Sequence, residues 1–316
     1  MKSNVYGWVR TAGCAGVLAC AALLASCGGG QPGQRFYASR IIAFGDEFSY
    51  MGNDGRKYTI NALVSGSTTA LDCTSNPIWV QSLAAAYGLV FPQCRGAVDD
   101  PASRIYAVNG AVVDDLSGQI DTQILNGGFN GTDLVTVLVG ANDVLAEFAK
   151  YPNVGEAQLL AELDASGTAL AAQVNRIASL GAKVLISTIP DMGLTPFAGD
   201  RSVGSTDGNP PLLTRLSTRF NDALLAHLTN DGSKIGLIQL DEFLQATDRA
   251  TVQGQGQYSN TTLFTCTVAL PACTTNTLAA DSINATWLWA DNRHLTPSGQ
   301  GNLASLALTR AQNNPF

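Results

Sequence analysis

At 316 residues with 46% hydrophobic side chains, the chain can bury a sizeable core. It shows no internal repeat and no second set of domain signals, so a single α/β domain is expected rather than a repeat array. The formal net charge is −7 and Lys and Arg are scattered, which excludes nucleic acid or an anionic lipid surface as a partner recognised by charge.

The N-terminus places Lys2 and Arg10 around an apolar run from Thr11 to Leu24, followed by Leu24-Ala25-Ser26-Cys27. The run is shorter than the ~20 residues a bilayer span needs, so residues 1–26 are expected to be a signal peptide. Small residues directly before a Cys resemble the bacterial lipobox. Cys27 would then be lipidated and become the mature N-terminus, and Gly28 in place of an Asp points to an outer-membrane lipoprotein. Plain secretion with an incidental Cys is the alternative. Residues 27–38 read as the lipidated Cys and a tether, flexible through the Gly-rich stretch 28–35, leaving 39–316 as the folded domain.

Continuous apolar runs at 40–45, 134–139, 183–189 and 235–240 have the pattern of strands buried on both faces. Helical spacing of Leu159, Leu160, Leu163, Leu170 and Val174 marks a helix over 155–180, closed by Gly181. A second helix is expected from Pro211 to Thr229, with Asn230-Asp231-Gly232 as its stop, and a last one from Pro297 to Ala311. This alternation predicts a three-layer α/β/α sandwich around a parallel sheet. His227, near the end of the second helix, is expected to cap carbonyls there. Segment 250–285 has little periodicity and reads as a loop.

Once the leader is removed and Cys27 takes lipid, Cys73, Cys94, Cys266 and Cys273 remain, an even count in an oxidising compartment. Of three pairings, local closure favours Cys73–Cys94 with Cys266–Cys273. The spacing lacks a Cys-x-x-Cys pair, so no metal site and no cofactor are expected.

Asp291-Asn292-Arg293-His294-Leu295-Thr296-Pro297-Ser298-Gly299 sets a carboxylate three residues before an imidazole. Such a carboxylate fixes the tautomer, so the far ring nitrogen can take a proton. Gly140-Ala141-Asn142-Asp143 follows one apolar run, and Asn109-Gly110-Ala111 follows a short extended segment. These supply an amide side chain and a backbone N–H suited to an oxyanion. The first strand ends in Gly45-Asp46-Glu47.

In chain order these four blocks resemble the SGNH/GDSL hydrolase superfamily, whose blocks read Gly-Asp-Ser, Gly, Gly-x-Asn-Asp and Asp-x-x-His. The resemblance extends to Ile78-Trp79-Val80-Gln81-Ser82-Leu83 and Ile189-Pro190-Asp191-Met192-Gly193. It implies a flavodoxin-like sandwich and a lipase- or esterase-like hydrolase acting on lipid or acyl esters. His294 and Asp291 would be the base and its orienting partner. Gly110, Asn142 and the backbone of Glu47 would form the oxyanion hole. Glu47 stands where the family has its nucleophilic Ser, in a segment expected to open a helix. Its carboxylate could reach the space between Gly110, Asn142 and His294. Ser49 is the alternative nucleophile, although in a helix it would face away from His294. Water activated by His294 or Glu47 is the expected route to hydrolysis, since a carboxylate attacking an ester carbonyl gains nothing from the anhydride formed. A catalytically silent binding lipoprotein on the same fold is the other reading. A monomer is expected, held to the membrane by its lipid and meeting a small-molecule or lipid ester.

Overall fold

The computed structural model describes residues 36–199 and 209–316. The segment expected to be a signal peptide, Cys27 and most of the expected tether lie outside them. Residues 36–38, expected in the tether, are instead packed. Phe36 meets Phe316 edge-on, Tyr37 meets Tyr87, and Ala38 is fully buried, so the compact unit begins at Phe36. Among the described residues no helix is long and apolar enough to cross a membrane.

The core is a parallel sheet of β1 (Arg40–Gly45), β4 (Arg104–Ile105), β5 (Asp133–Leu138), β6 (Lys183–Ser187) and β7 (Ile235–Ile238), in the spatial order β4-β1-β5-β6-β7. Every residue of β5 is buried, as a strand covered on both faces requires. Helices α1 (Trp79–Ala86) and α7 (Pro297–Asn313) pack on each other, as do α4 (Glu156–Ser179) and α5 (Pro210–His227). Helices α2 (Leu116–Leu125) and α3 (Ala141–Phe148) join the second group. Counting only the strands of this sheet, the order is 2-1-3-4-5, the flavodoxin-like arrangement, and the strand order reverses between β1 and β5. Ligands in such sheets sit at the carboxyl ends of the strands flanking that switch point.

Register fixes where those ends fall. Arg40 pairs with Asp133 at one end, in a bidentate ion pair at 2.6 and 2.8 Å, and Gly45 pairs with Leu138 at the other. The two strands therefore end level.

Two further readings from sequence need correction. Residue 47 does not open a helix: residues 46–49 form one turn, with the Ser49 N–H donating to the Asp46 carbonyl and the Tyr50 N–H to that of Glu47. The following Gly52-Asn53-Asp54-Gly55 favours turns over helix, and Met51 instead bridges antiparallel to Lys57. Segment 250–285 is not all loop. It contains the end of α6 (Leu240–Val252) and β8 (Asn260–Phe264), which pairs parallel with β9 (Trp287–Trp289). A short antiparallel pair, β2 (Ala62–Leu63) with β3 (Leu71–Asp72), lies outside the main sheet.

Both disulfides take the local pairing, Cys73–Cys94 and Cys266–Cys273. Between them they hold the segment 57–61. The fully buried Lys57 donates from Nζ to the carbonyls of Cys73 and Ser75 at 3.0 and 2.8 Å. The Asn61 amide donates to the carbonyls of Pro271 and Cys273 at 3.0 and 3.2 Å.

Candidate active site

Four chain segments meet at the carboxyl ends of β1 and β5. Gly45 closes β1 at φ +126°, and the next residue, Asp46, donates its N–H back to the Leu138 carbonyl at 3.1 Å. That hairpin-tight exit throws Glu47 across the end of the sheet. Gly140, also at φ +126°, ends the exit of β5 and starts α3, so Asn142 lies in the first turn of that helix. Gly110 sits at φ +76° in a turn after β4, and its backbone N–H points to the same space.

The last segment is held by its own short pairing. Ala290 donates to the His294 carbonyl at 2.7 Å, Trp289 bridges Leu295, and Thr296 caps α7 by accepting from the Gly299 N–H. The Asp291 carboxylate accepts from the His294 ring at Nδ1, at 2.8 and 2.9 Å, and from the backbone N–H groups of Arg293 and His294. The imidazole is buried between Phe48 and Tyr58, with ring centroids 5.4 and 5.3 Å away. Thr59 fixes that wall by donating to the Leu295 carbonyl at 2.9 Å.

Glu47 fills the centre. Its Oε2 accepts from the Gly110 N–H at 2.8 Å and from the Asn142 amide at 3.0 Å. Its Oε1 faces His294 Nε2 at 3.4 Å and Arg293 Nη2 at 3.5 Å. Two neutral donors thus converge on one oxygen and two basic groups on the other. Among the described residues the backbone N–H of Glu47 makes no hydrogen bond. Ser49 is buried, and its hydroxyl makes no hydrogen bond to His294 or to any other described residue. His227 is exposed on α5 and donates to the Ala223 carbonyl at 2.9 Å, a helix-end contact away from these groups.

The electrostatics follow from the contacts. Burial opposes the charge on Glu47, but the hydrogen bond and charge of His294, with the donors of Gly110 and Asn142, outweigh it and bring its pKa down to about 2. Burial likewise opposes the imidazolium. The charge and hydrogen bond of Asp291, with those of Glu47, prevail and raise His294 to about 9. Asp46, buried beside Glu47, has its pKa pushed well up by desolvation and then by the Glu47 charge.

The sign of the resulting pH dependence is fixed. The raised His294 adds stability in full below its ordinary 6.5 and loses it as pH rises through about 9. The lowered Glu47 adds stability above its ordinary 4.5 and loses it as pH falls through about 2. Thermal denaturation of the mature domain is expected to show a plateau between about 4.5 and 6.5, and Glu47→Gln should reduce the fall on its alkaline side. An alkaline limb of the same steepness in Glu47→Gln would rule out the ion pair.

The model of the GDSL-like lipase/acylhydrolase family matches residues 41–307, a span that includes all four segments. The chain belongs to that family. Among solved structures it is similar to a lipolytic protein of the G-D-S-L family from Veillonella parvula DSM 2008, at 14% identity over 85% of this chain and 96% of that one, with a TM-score of 0.45. It is also similar to phospholipase A1 from Streptomyces albidoflavus NA297, at 18% identity, covering 87% and 99% of the two chains, TM-score 0.46. A third is the acetylxylan esterase Axe2 from Geobacillus stearothermophilus, at 14% identity, 88% and 96%, TM-score 0.42. At these identities the likeness reaches no further than the general fold. No curated protein sequence matches the chain.

Arg293 and the aromatic pair Phe48 and Tyr58 belong to the site without having been singled out from sequence. Arg293 had a signal, since it sits inside the Asp-x-x-His block itself. Tyr58 had none, because its contact with His294 depends on the disulfide-held segment 57–61.

Proposed function

We propose that this GDSL-family protein is an ester hydrolase whose centre is closed by its own Glu47 carboxylate. The observation that carries this is the convergence of the Gly110 N–H and Asn142 amide on one oxygen at 2.8 and 3.0 Å, the pattern of an intact oxyanion hole. For an ester to react, the Glu47 side chain must withdraw. The carbonyl oxygen then takes its place, with the free Glu47 N–H as the third donor. His294, oriented by Asp291, takes a proton from water as the water oxygen attacks the carbonyl carbon. It returns that proton to the departing alkoxide, giving acid and alcohol. Displacing Glu47 also removes one of the groups that keep His294 protonated, which makes the imidazole a base.

A second reading, a silent acyl-ester binder, is favoured by the occupation of both donors by Glu47. Turnover of short- and long-chain aryl esters by the mature domain, with His294→Ala as control, separates the two. Slow hydrolysis lost in His294→Ala supports the enzyme. Ester binding by both proteins with no hydrolysis above the control supports the binder and overturns the first reading.

The proposal includes location: lipid attachment at Cys27 would hold this centre at the outer membrane. Radiolabelled palmitate is expected to enter the full chain in a Gram-negative host and not Cys27→Ala. Equal labelling of both, or none in either, would defeat it.

A further inference from the structure

Arg293 is the one cationic side chain besides His294 that reaches Glu47 among the described residues, and it is poorly used there. Its Nη2 stands 3.5 Å from Glu47 Oε1, too long for a strong bidentate pair, and its Nε is buried without a hydrogen-bond partner. The side chain keeps 30% of its surface exposed. Its position has a direction. The oxyanion donors Gly110 and Asn142 hold Oε2, whereas Arg293 shares Oε1 with His294. The group beside the base is the one that receives the proton on bond cleavage, which in an ester is the alcohol oxygen. Arg293 therefore flanks the alcohol half of a bound ester. A guanidinium with an unfilled, partly desolvated fork is matched by a carboxylate or a phosphate, and a neutral alcohol would leave it unpaired. Tyr58, tilted against His294 at 5.3 Å and edge-on to Tyr50 at 6.0 Å, adds an aromatic wall nearby.

Building on the reading of the centre as an ester site, we propose that Arg293 is a specificity residue that selects esters whose alcohol half carries an anionic group, carboxylate or phosphate.

The test uses the mature domain carrying Glu47→Ser, with and without Arg293→Gln, on 3-acetoxybenzoate and on phenyl acetate. These share an acyl group and differ in the charge of the alcohol half. The kcat/KM ratio of anionic to neutral ester is expected to favour the anion by about tenfold, the worth of one charge-assisted hydrogen bond, and to fall to near one with Arg293→Gln. High salt should narrow the preference. The same ratio with and without Arg293 would overturn the proposal and leave the guanidinium as a counterion of Glu47 alone. Should neither variant turn over either ester, the hydrolase reading fails while this one remains open to test by calorimetry with 3-hydroxybenzoate and phenol. Binding of the anionic alcohol that weakens with Arg293→Gln supports it, and equal binding overturns it.

Discussion

Glu47→Ser is expected to raise aryl-ester turnover by about a thousandfold or more over the parent, the scale on which a lost nucleophile is felt. Three changes act together. The Gly110 N–H and Asn142 amide, now 2.8 and 3.0 Å from a carboxylate oxygen, become free for the carbonyl oxygen of the ester. The largest opposing influence on His294, burial, stays, while the Glu47 hydrogen bond and charge that help raise its pKa are lost, so more of it is neutral near pH 8. A hydroxyl takes the place proposed for the nucleophile, beside the ring that Asp291 already orients at 2.8 Å. Glu47→Ala separates these contributions, because it opens the hole and frees the base without supplying a hydroxyl. The ratio of Ser to Ala variants reads the nucleophile alone. If Glu47→Ser is no faster than Glu47→Ala, residue 47 is not the attacking position. Ser49→Ala should change little, given a hydroxyl with no contact to His294. If it abolishes the activity, Ser49 is the nucleophile.

Gly45→Ala is expected to destabilise the domain by more than about 4 kcal/mol, in the range reserved for steric conflict in a fixed core. A Cβ at Gly45 would lie 1.9 Å from the Leu138 carbonyl oxygen, and at φ +126° no L side chain sits comfortably. The carbonyl cannot retreat, because it accepts the Asp46 N–H and belongs to the strand paired with Gly45. Gly110→Ala makes the contrast. It has positive φ but nothing within 4 Å of the added Cβ, so its cost should be only about 1–2 kcal/mol. Urea denaturation of both variants measures the difference. A Gly45→Ala midpoint near that of the parent would mean that the exit of β1 is not the tight turn described.

These two sites also divide what the amino-acid order reveals from what it conceals. Buried runs such as Asp133–Leu138 and Lys183–Ser187, and the helical spacing of Leu159, Leu163, Leu170 and Val174, are local patterns in which each residue's burial is written in its neighbours. They suffice for an α/β sandwich, and the four motif blocks suffice for its family. The two disulfides were legible for the same reason, since both close short stretches of chain, 21 and 7 residues apart.

Tertiary structure decided the rest. Glu47 meets Gly110, Asn142 and His294 across 63, 95 and 247 residues, distances that no window of sequence spans. The contact with Asn142 exists because β1 and β5 end in register and leave through glycines at positive φ, so a side chain on one strand's exit is delivered to the amide on the other's. The turn at 46–49 replaced the expected helix because Gly52-Asn53-Asp54-Gly55 and the bridge from Met51 to Lys57 redirect the chain. The pairing of β8 with β9 escaped notice because a short strand without alternation acquires its identity from its partner. Sequence supplied the carboxylate, the imidazole and the amide. Only the tertiary structure determined that the carboxylate would lie between Gly110, Asn142 and His294, with Arg293 beside the imidazole.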